Sequence, residues 1–287
     1  MNFIYLLIST TILLSDSLVF KSIFETGMQM KAEIKSDLIP GLPEELSQVE
    51  IEIIKSKAKD YIVESANIND IVLMETNFGI MEFKFYIDQA PKHANNFKKL
   101  ANSGFYDKTI FHRIIPGFMA QGGDILTRDS NKENDGTGNP GWTVNQEFNT
   151  INHEQGILSM ARSQDVNSAG SQFFICFDNA PHLNNKYTVF GKLITGFDVL
   201  KKIENLKSEA DYILELSYDK IPNNSKYNFL EFNYKNRKKY IAIPKNQNKD
   251  EYKKEIYKKL KNTHKTKKPV KIIKVRVNNE NIEENSK

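Results

Sequence analysis

The chain has 287 residues, 39% of them hydrophobic and 26% charged, enough for one mid-sized domain with extensions. Its one cysteine, Cys176, excludes an internal disulfide and a cysteine-built zinc site. The net charge of +4 is uneven: residues 222–287 hold 19 Lys and Arg against 7 Asp and Glu, a net of +12, which leaves −8 on residues 1–221 and argues for segments with different tasks.

The first element in chain order is an apolar run of twelve residues, Phe3 to Leu14, followed by Asp16. It is too short to span a bilayer, which takes about 20 residues, and has the length of a signal-peptide core. No Lys or Arg precedes it, and no small-x-small cleavage pattern follows. Residues 1–27 therefore read as a signal or anchor segment, which would make the protein periplasmic or membrane-associated. The competing reading is a start at Met28 or Met30 and a cytoplasmic protein. Residues 28–67 read as a helical lead-in, with Leu46, Val49, Ile53 and Ile54 at helical spacing after Pro43.

From Ile71 the period changes. Ile71–Glu75 and Ile80–Tyr86 are predicted strands of a hairpin turning at Asn77-Phe78-Gly79. Ala90-Pro91 opens a helix with Ala94, Phe97, Leu100 and Ala101 on one face, closed at Ser103-Gly104. Short strands follow at Thr109–Ile115, Phe118–Gln121, Gly156–Ala161, Gln172–Cys176 and Thr188–Leu193. A second helix fits Gly196–Leu206 and a last strand Tyr212–Tyr218. Many short strands with Gly-, Asn- and Asp-rich loops and two helices point to an antiparallel barrel plugged by helices. Beyond Pro222 the composition turns to Lys, Asn and Tyr. Asp250–Asn262 reads as a charged helix and Val270–Val277 as a strand, and residues 222–287 read together as a basic C-terminal extension.

Three blocks carry more than periodicity. The first runs Phe111-His112-Arg113-Ile114-Ile115-Pro116-Gly117-Phe118-Met119-Ala120-Gln121-Gly122-Gly123-Asp124. The second runs from Met160-Ala161-Arg162-Ser163 to Gly170-Ser171-Gln172-Phe173-Phe174-Ile175. The third extends from Leu183 to Val189-Phe190-Gly191-Lys192. In order and spacing they resemble the signatures of cyclophilin-type peptidyl-prolyl cis-trans isomerases, and the resemblance spans residues 68–221. It implies a mainly β fold, a closed antiparallel eight-stranded barrel capped by two helices, here with N- and C-terminal extensions. It also implies an isomerase that accelerates rotation about X–Pro bonds and assists folding, with no cofactor and no metal.

That chemistry asks little of a protein. An X–Pro bond turns over a barrier of about 18–20 kcal/mol because amide resonance must be broken, and no covalent bond is made or lost. An apolar slot for the proline ring and one donor aimed at the twisted amide suffice. Every ~1.36 kcal/mol removed is a tenfold gain, within reach of one desolvated donor. The resemblance assigns that donor to Arg113, with Gln121 and Phe118 beside it. Met119, Phe174 and Leu183 would complete the slot, with Gln172 on its floor. Ala161 and the backbone of Arg162 would pair with an extended substrate, and Gly136-Thr137-Gly138 would flank the groove.

Some positions depart from the best-known eukaryotic members. His182 stands where many have Trp, Tyr187 where many have His, and Arg162 where Asn is common. The stretch Asp165–Ala169 looks like that of bacterial members. The Trp position helps bind cyclosporin in the family, so His182 implies weak binding of the drug. His112 reads as packing, since the reaction needs no base, and Cys176 as an inert buried thiol. The expected partners are unfolded or flexible proline-containing polypeptides, met by a monomer. The alternative is a proline-peptide-binding chaperone module with little catalysis. The basic tail reads either as a solvated accessory segment or as a site for an anionic lipid or nucleic acid.

Overall fold

Alternation of apolar and polar side chains makes Asp70–Thr76 (β1) and Gly79–Phe85 (β2) a hairpin in the computed structural model, which describes residues 45–223 and 226–279. The partners run from Ile71↔Lys84 to Thr76↔Gly79, and Gly79 supplies the positive φ of 133° needed at the turn. The apolar run Phe3–Leu14, and the lead-in up to residue 44, lie outside the described residues. The remainder of the lead-in forms α1 (Gln48–Asp60), capped by Ser47 and Glu50 acting reciprocally. Its buried face is Ile51, Ile54 and Ala58, whereas Val49 is exposed. The expected inclusion of Val49 in the apolar stripe was off by part of a turn.

Three short strands, Arg113–Ile115 (β3), Met119–Gly122 (β4) and Ile157–Met160 (β5), are followed by Phe173–Cys176 (β6) and Val189–Thr195 (β7). The eighth strand of the sheet is Ile272–Asn279 (β10), which pairs antiparallel with β1 from Asp70↔Asn279 to Thr76↔Ile272. The strand predicted at Val270–Val277 thus belongs to the main sheet, outside the span 68–221. The order is β10-β1-β2-β7-β5-β6-β4-β3. Closure by strand pairing, expected from the sequence, is not made: β10 and β3 end the ladder, and the sheet curls as a half-barrel. A few backbone bonds join its ends instead. Lys108 N–H donates to Ile272 O at 2.8 Å, Ile272 N–H to Thr109 O at 2.8 Å, and Phe111 N–H to Val270 O at 2.9 Å.

Helices α2 (Pro91–Asn102) and α3 (Phe197–Glu204) pack on the sheet, α2 against β10 and β7, α3 against β2. Inside, Phe97 meets Phe85, Tyr106, Phe173 and Phe190 with ring centroids 5.0–6.1 Å apart. Such pairs add to the area they bury. The buried ion pair Lys98–Asp70, at 2.7 Å, ties α2 to the start of β1.

The chain between α3 and β10 departs from the expectation. Tyr212–Tyr218, predicted as a strand, lies largely in helix α4 (Glu209–Glu215), which Ser208 and Asp211 cap reciprocally. The apolar run Tyr212-Ile213-Leu214 is too short for its period to tell strand from helix, and the cap decided. A hairpin, β8 (Phe229–Tyr234) and β9 (Arg237–Ala242), and helix α5 (Lys249–Lys261) follow. They enclose a second small core of Ile213, Leu230, Phe232, Ile241, Ile243, Ile256 and Leu260.

Candidate active site

The site begins with the pleat. Directly paired residues of antiparallel strands share a face, and Arg113↔Gln121, Gln121↔Phe174 and Phe174↔Ser159 form one row across β3, β4, β6 and β5. Two residues along, Ile115↔Met119↔Cys176 form the next row on the same face. The intervening Ile114, Ala120, Ile175 and Leu158 point the other way, into the barrel core. Sheet alternation thus divides each motif into a core half and a site half.

A tight turn carries the chain from β3 to β4. Phe118 N–H donates to Ile115 O at 3.0 Å, with Pro116 at the second position and Gly117 at φ 73° in the third, the pattern of a type II turn. Glu204 of α3 accepts from Gly117 N–H at 3.0 Å. The turn presents Phe118, whose ring lies 5.3 Å from that of His182. Met119, Phe174, Leu183, Cys176 and Val189 are buried together, and Phe118, Ala161, Tyr187 and Ile115 pack against them half-buried. The short 3-10 turn Pro181–Leu183 brings Leu183 to this cluster and leaves His182 exposed.

Arg113 sits half-buried at one end of the row, paired with no carboxylate among the described residues; its Nη1 donates to Gln121 Oε1 at a long 3.5 Å. Gln121 Nε2 donates to Gln172 Oε1 at 2.9 Å, and Gln172 Nε2 donates to the carbonyls of Gly136 (2.9 Å) and Gly138 (2.8 Å). Two amides therefore link the guanidinium to the glycine loop. That loop is fixed from below by Asp124, which accepts from Leu126 N–H at 2.7 Å and Gly136 N–H at 2.5 Å. A Cβ at position 138 would stand 1.9 Å from Asp124 Oδ1, so this close approach requires glycine. Burial raises the Asp124 carboxyl above its usual range, against the backbone donors that hold it down.

On the other flank, Ala161 N–H donates to Gln172 O at 2.9 Å, so that N–H is already engaged within the protein. The Arg162 guanidinium lies 4.5 Å above the Tyr187 ring and donates to Lys186 O at 2.9 Å and Ser163 O at 2.8 Å. It therefore packs Tyr187 beside Phe174, whose rings meet edge to face at 5.9 Å. The structure gathers Phe118, Met119, Ala161, Phe174, Leu183 and Tyr187 into one apolar cluster; Arg113 and Gln121 share the cross-strand row of Phe174, and Gln172, Arg162 and His182 adjoin through Gln121, Tyr187 and Phe118.

One residue that sequence reading passed over supports this cluster. His153 stacks on Phe174 at 5.9 Å; its Nε2 lies 3.0 Å from Ser159 Oγ and its Nδ1 3.1 Å from Asn184 Oδ1. Nothing in the local pattern around His153 marks it, because its partners lie on other segments. His112 is buried and pushed down to about 4, chiefly by desolvation, and is neutral at neutral pH. Burial pushes the Cys176 thiol up to about 12, so neither serves as an activated nucleophile–base pair.

The family described as "Cyclophilin type peptidyl-prolyl cis-trans isomerase/CLD" matches residues 71–223. The chain is 46% identical over 127 residues to peptidyl-prolyl cis-trans isomerase B of Bacillus subtilis, covering 44% of this chain and 83% of that protein. It is 44% identical over 144 residues to a peptidyl-prolyl cis-trans isomerase of Arabidopsis thaliana, covering 48% and 84%. Among solved structures, a Cryptosporidium parvum cyclophilin-type isomerase, crystallised in the presence of the dipeptide Ala-Pro, superposes with a TM-score of 0.50 at 29% identity, over 72% of this chain and 98% of that one. With the family match over residues 71–223, relatives at 44–46% identity and the shared half-barrel, the chain belongs to the cyclophilin family and is a peptidyl-prolyl cis-trans isomerase (EC 5.2.1.8).

Proposed function

We propose that Arg113 is the group that lowers the isomerisation barrier, with Phe118, Met119, Phe174 and Leu183 gripping the proline ring. As the X–Pro amide twists, its nitrogen lone pair localises and the carbonyl loses conjugation. A guanidinium held beside the hollow can donate to that nitrogen more strongly in the twisted state than in the planar one, which is the condition for catalysis. The supporting observation is the cross-strand row Arg113–Gln121–Phe174, which holds a half-buried cation, without a carboxylate partner among the described residues, beside an apolar cluster. Gln121 and Gln172 orient the cation, and Ala161 and Arg162 border the path of an extended chain.

The substrates are proline-containing stretches of unfolded or flexible polypeptides, reached by a monomer through an open groove. The Ala-Pro dipeptide with the Cryptosporidium neighbour supports a proline-peptide ligand. Exposed His182 provides less stacking area than an indole would, so cyclosporin binds weakly. The cationic surface of residues 222–279 fits an anionic partner, tested by salt-dependent binding of the full chain to anionic vesicles and to RNA.

The deciding experiment is a cis-trans exchange assay on a proline peptide. Arg113→Ala should lower kcat/KM about 100- to 1000-fold, the usual effect of removing one transition-state donor, with an unchanged circular dichroism spectrum. Activity within a few fold of the native enzyme would reject the assignment.

A further inference from the structure

The segment inserted between α3 and β10 has its own core, yet it also reaches the groove. Ile114, the residue after Arg113, donates its N–H to His264 O at 2.8 Å. Strand β3 is the last in the sheet, so this bond places residue 264 on the edge that the catalytic strand leaves open. Thr263 Oγ1 lies 3.3–3.4 Å from the ring nitrogens of His264, and the imidazole itself is exposed. Next along, Lys265 Nζ bonds Asp135 at 3.1 Å and Lys132 O at 2.9 Å. These contacts fasten the insertion to the loop that leads into Gly136 and Gly138.

Arg113 has no carboxylate partner among the described residues, and the Asp135 carboxylate, only 3% exposed, is already paired with Lys265. The other acids nearby are likewise engaged: Glu133 with Lys258, and Glu209 with Asn262. Partial burial, and after it the positive charge of Arg113, hold the His264 imidazole below its ordinary range. The insertion as a whole, residues 208–268, carries 16 Lys and Arg against 8 Asp and Glu. What Arg113 lacks, among the described residues, is an anionic partner.

We infer that His264 is a specificity-determining residue: together with Arg113 it forms a subsite, supplied by the insertion, for an acidic side chain flanking the proline of the substrate. The inference rests on the groove assigned above and names the class of sequence that the groove prefers. At neutral pH the uncharged imidazole donates a hydrogen bond to the carboxylate, and Arg113 supplies the charge. A lysine at the same place meets two donors and a cation and has no acceptor to offer them.

The test is NMR exchange spectroscopy on the full chain with peptides that differ in one residue. Glu, Gln or Lys is placed in turn at each of the two positions on either side of the proline, and an all-alanine peptide reports the isomerase reading separately. At one position the native protein should favour Glu over Gln by about threefold and over Lys by about tenfold in kcat/KM, the range open to partly exposed charges. The preference should shrink in 0.5 M salt, where the Debye length falls to roughly 4 Å. His264→Glu should reverse the order at that position, and His264→Gln should keep it in weaker form, since an amide still donates. Equal rates for Glu and Lys at all four positions, or an order that His264→Glu leaves in place, would overturn the inference. Neither result touches the isomerase reading as long as the all-alanine peptide is accelerated.

Discussion

The half-barrel and the segment inserted before its last strand are held together by different means. In the barrel, five aromatic rings centred on Phe97 interlock between α2 and the sheet, and the site residues are the outward half of the same strands. In the insertion, six buried aliphatic side chains surround Phe232, with Leu214, Tyr234 and Tyr252 packed against them half-buried, and attachment to the barrel is polar: Ile114 to His264, Lys265 to Asp135, Lys258 to Glu133. Dense packing fixes the groove, while hydrogen bonds and exposed ion pairs append the insertion. The barrel should therefore tolerate damage to the insertion far better than the insertion tolerates damage to the barrel.

Truncating one ring in each core puts that difference to the test. Phe97→Ala should cost about 3–5 kcal/mol and take the isomerase activity with it, read as Tm and as rate on one sample. Phe232→Ala should cost a similar amount within the insertion but leave most of the activity on an uncharged peptide. If both variants lose activity in step with stability, the two regions unfold as one unit.

The next effect is one of pH. Burial pushes His112 down to about 4, whereas histidine in an unfolded chain titrates near 6.5. Between those values the unfolded chain binds more protons than the folded one. His112 therefore leaves stability intact above about pH 6.5 and erodes it as the pH falls toward 4, by up to about 3 kcal/mol. Denaturant titrations of the native protein and His112→Leu at pH 7 and pH 4.5 should differ in slope, with the variant the flatter. Equal slopes would show that His112 is less sequestered than its packing against Gly136 implies.

Smaller effects sharpen the link between the regions. Gln172→Ala leaves Gln121 and the carbonyls of Gly136 and Gly138 without their shared partner. It should reduce kcat/KM about tenfold, roughly the worth of one lost hydrogen bond at the site, with little change in Tm. Lys258→Ala should be the mildest, because both partners of its pair with Glu133 are exposed and screened by water. Its sign would be faster amide exchange in the loop around Glu133, with the aromatic core unaffected.

Much of the site was legible before any coordinates. The blocks around Arg113, Gln172 and Val189 named the candidate residues, and strand pairing then set which of them share a face. What could not be read was support from a distance. His153 steadies Phe174 through partners 6 and 31 residues away, and Gln172 reaches back 36 residues to Gly136. No local spacing encodes such bonds. Tyr212–Tyr218 was misread for the opposite reason: local signals there were balanced, and the Ser208–Asp211 cap tipped a short apolar run into a helix.

By itself the sequence determined the chemistry of this protein: motif identity fixed which side chains exist at which register, and the pleat then dictates which of them face together. Tertiary structure alone decided that the sheet is completed by Ile272–Asn279, and that the insertion before it places His264 beside β3. Those pairings join segments about 150 to 200 residues apart. The entropy lost in closing so long a loop is offset by contacts that no short window of sequence contains.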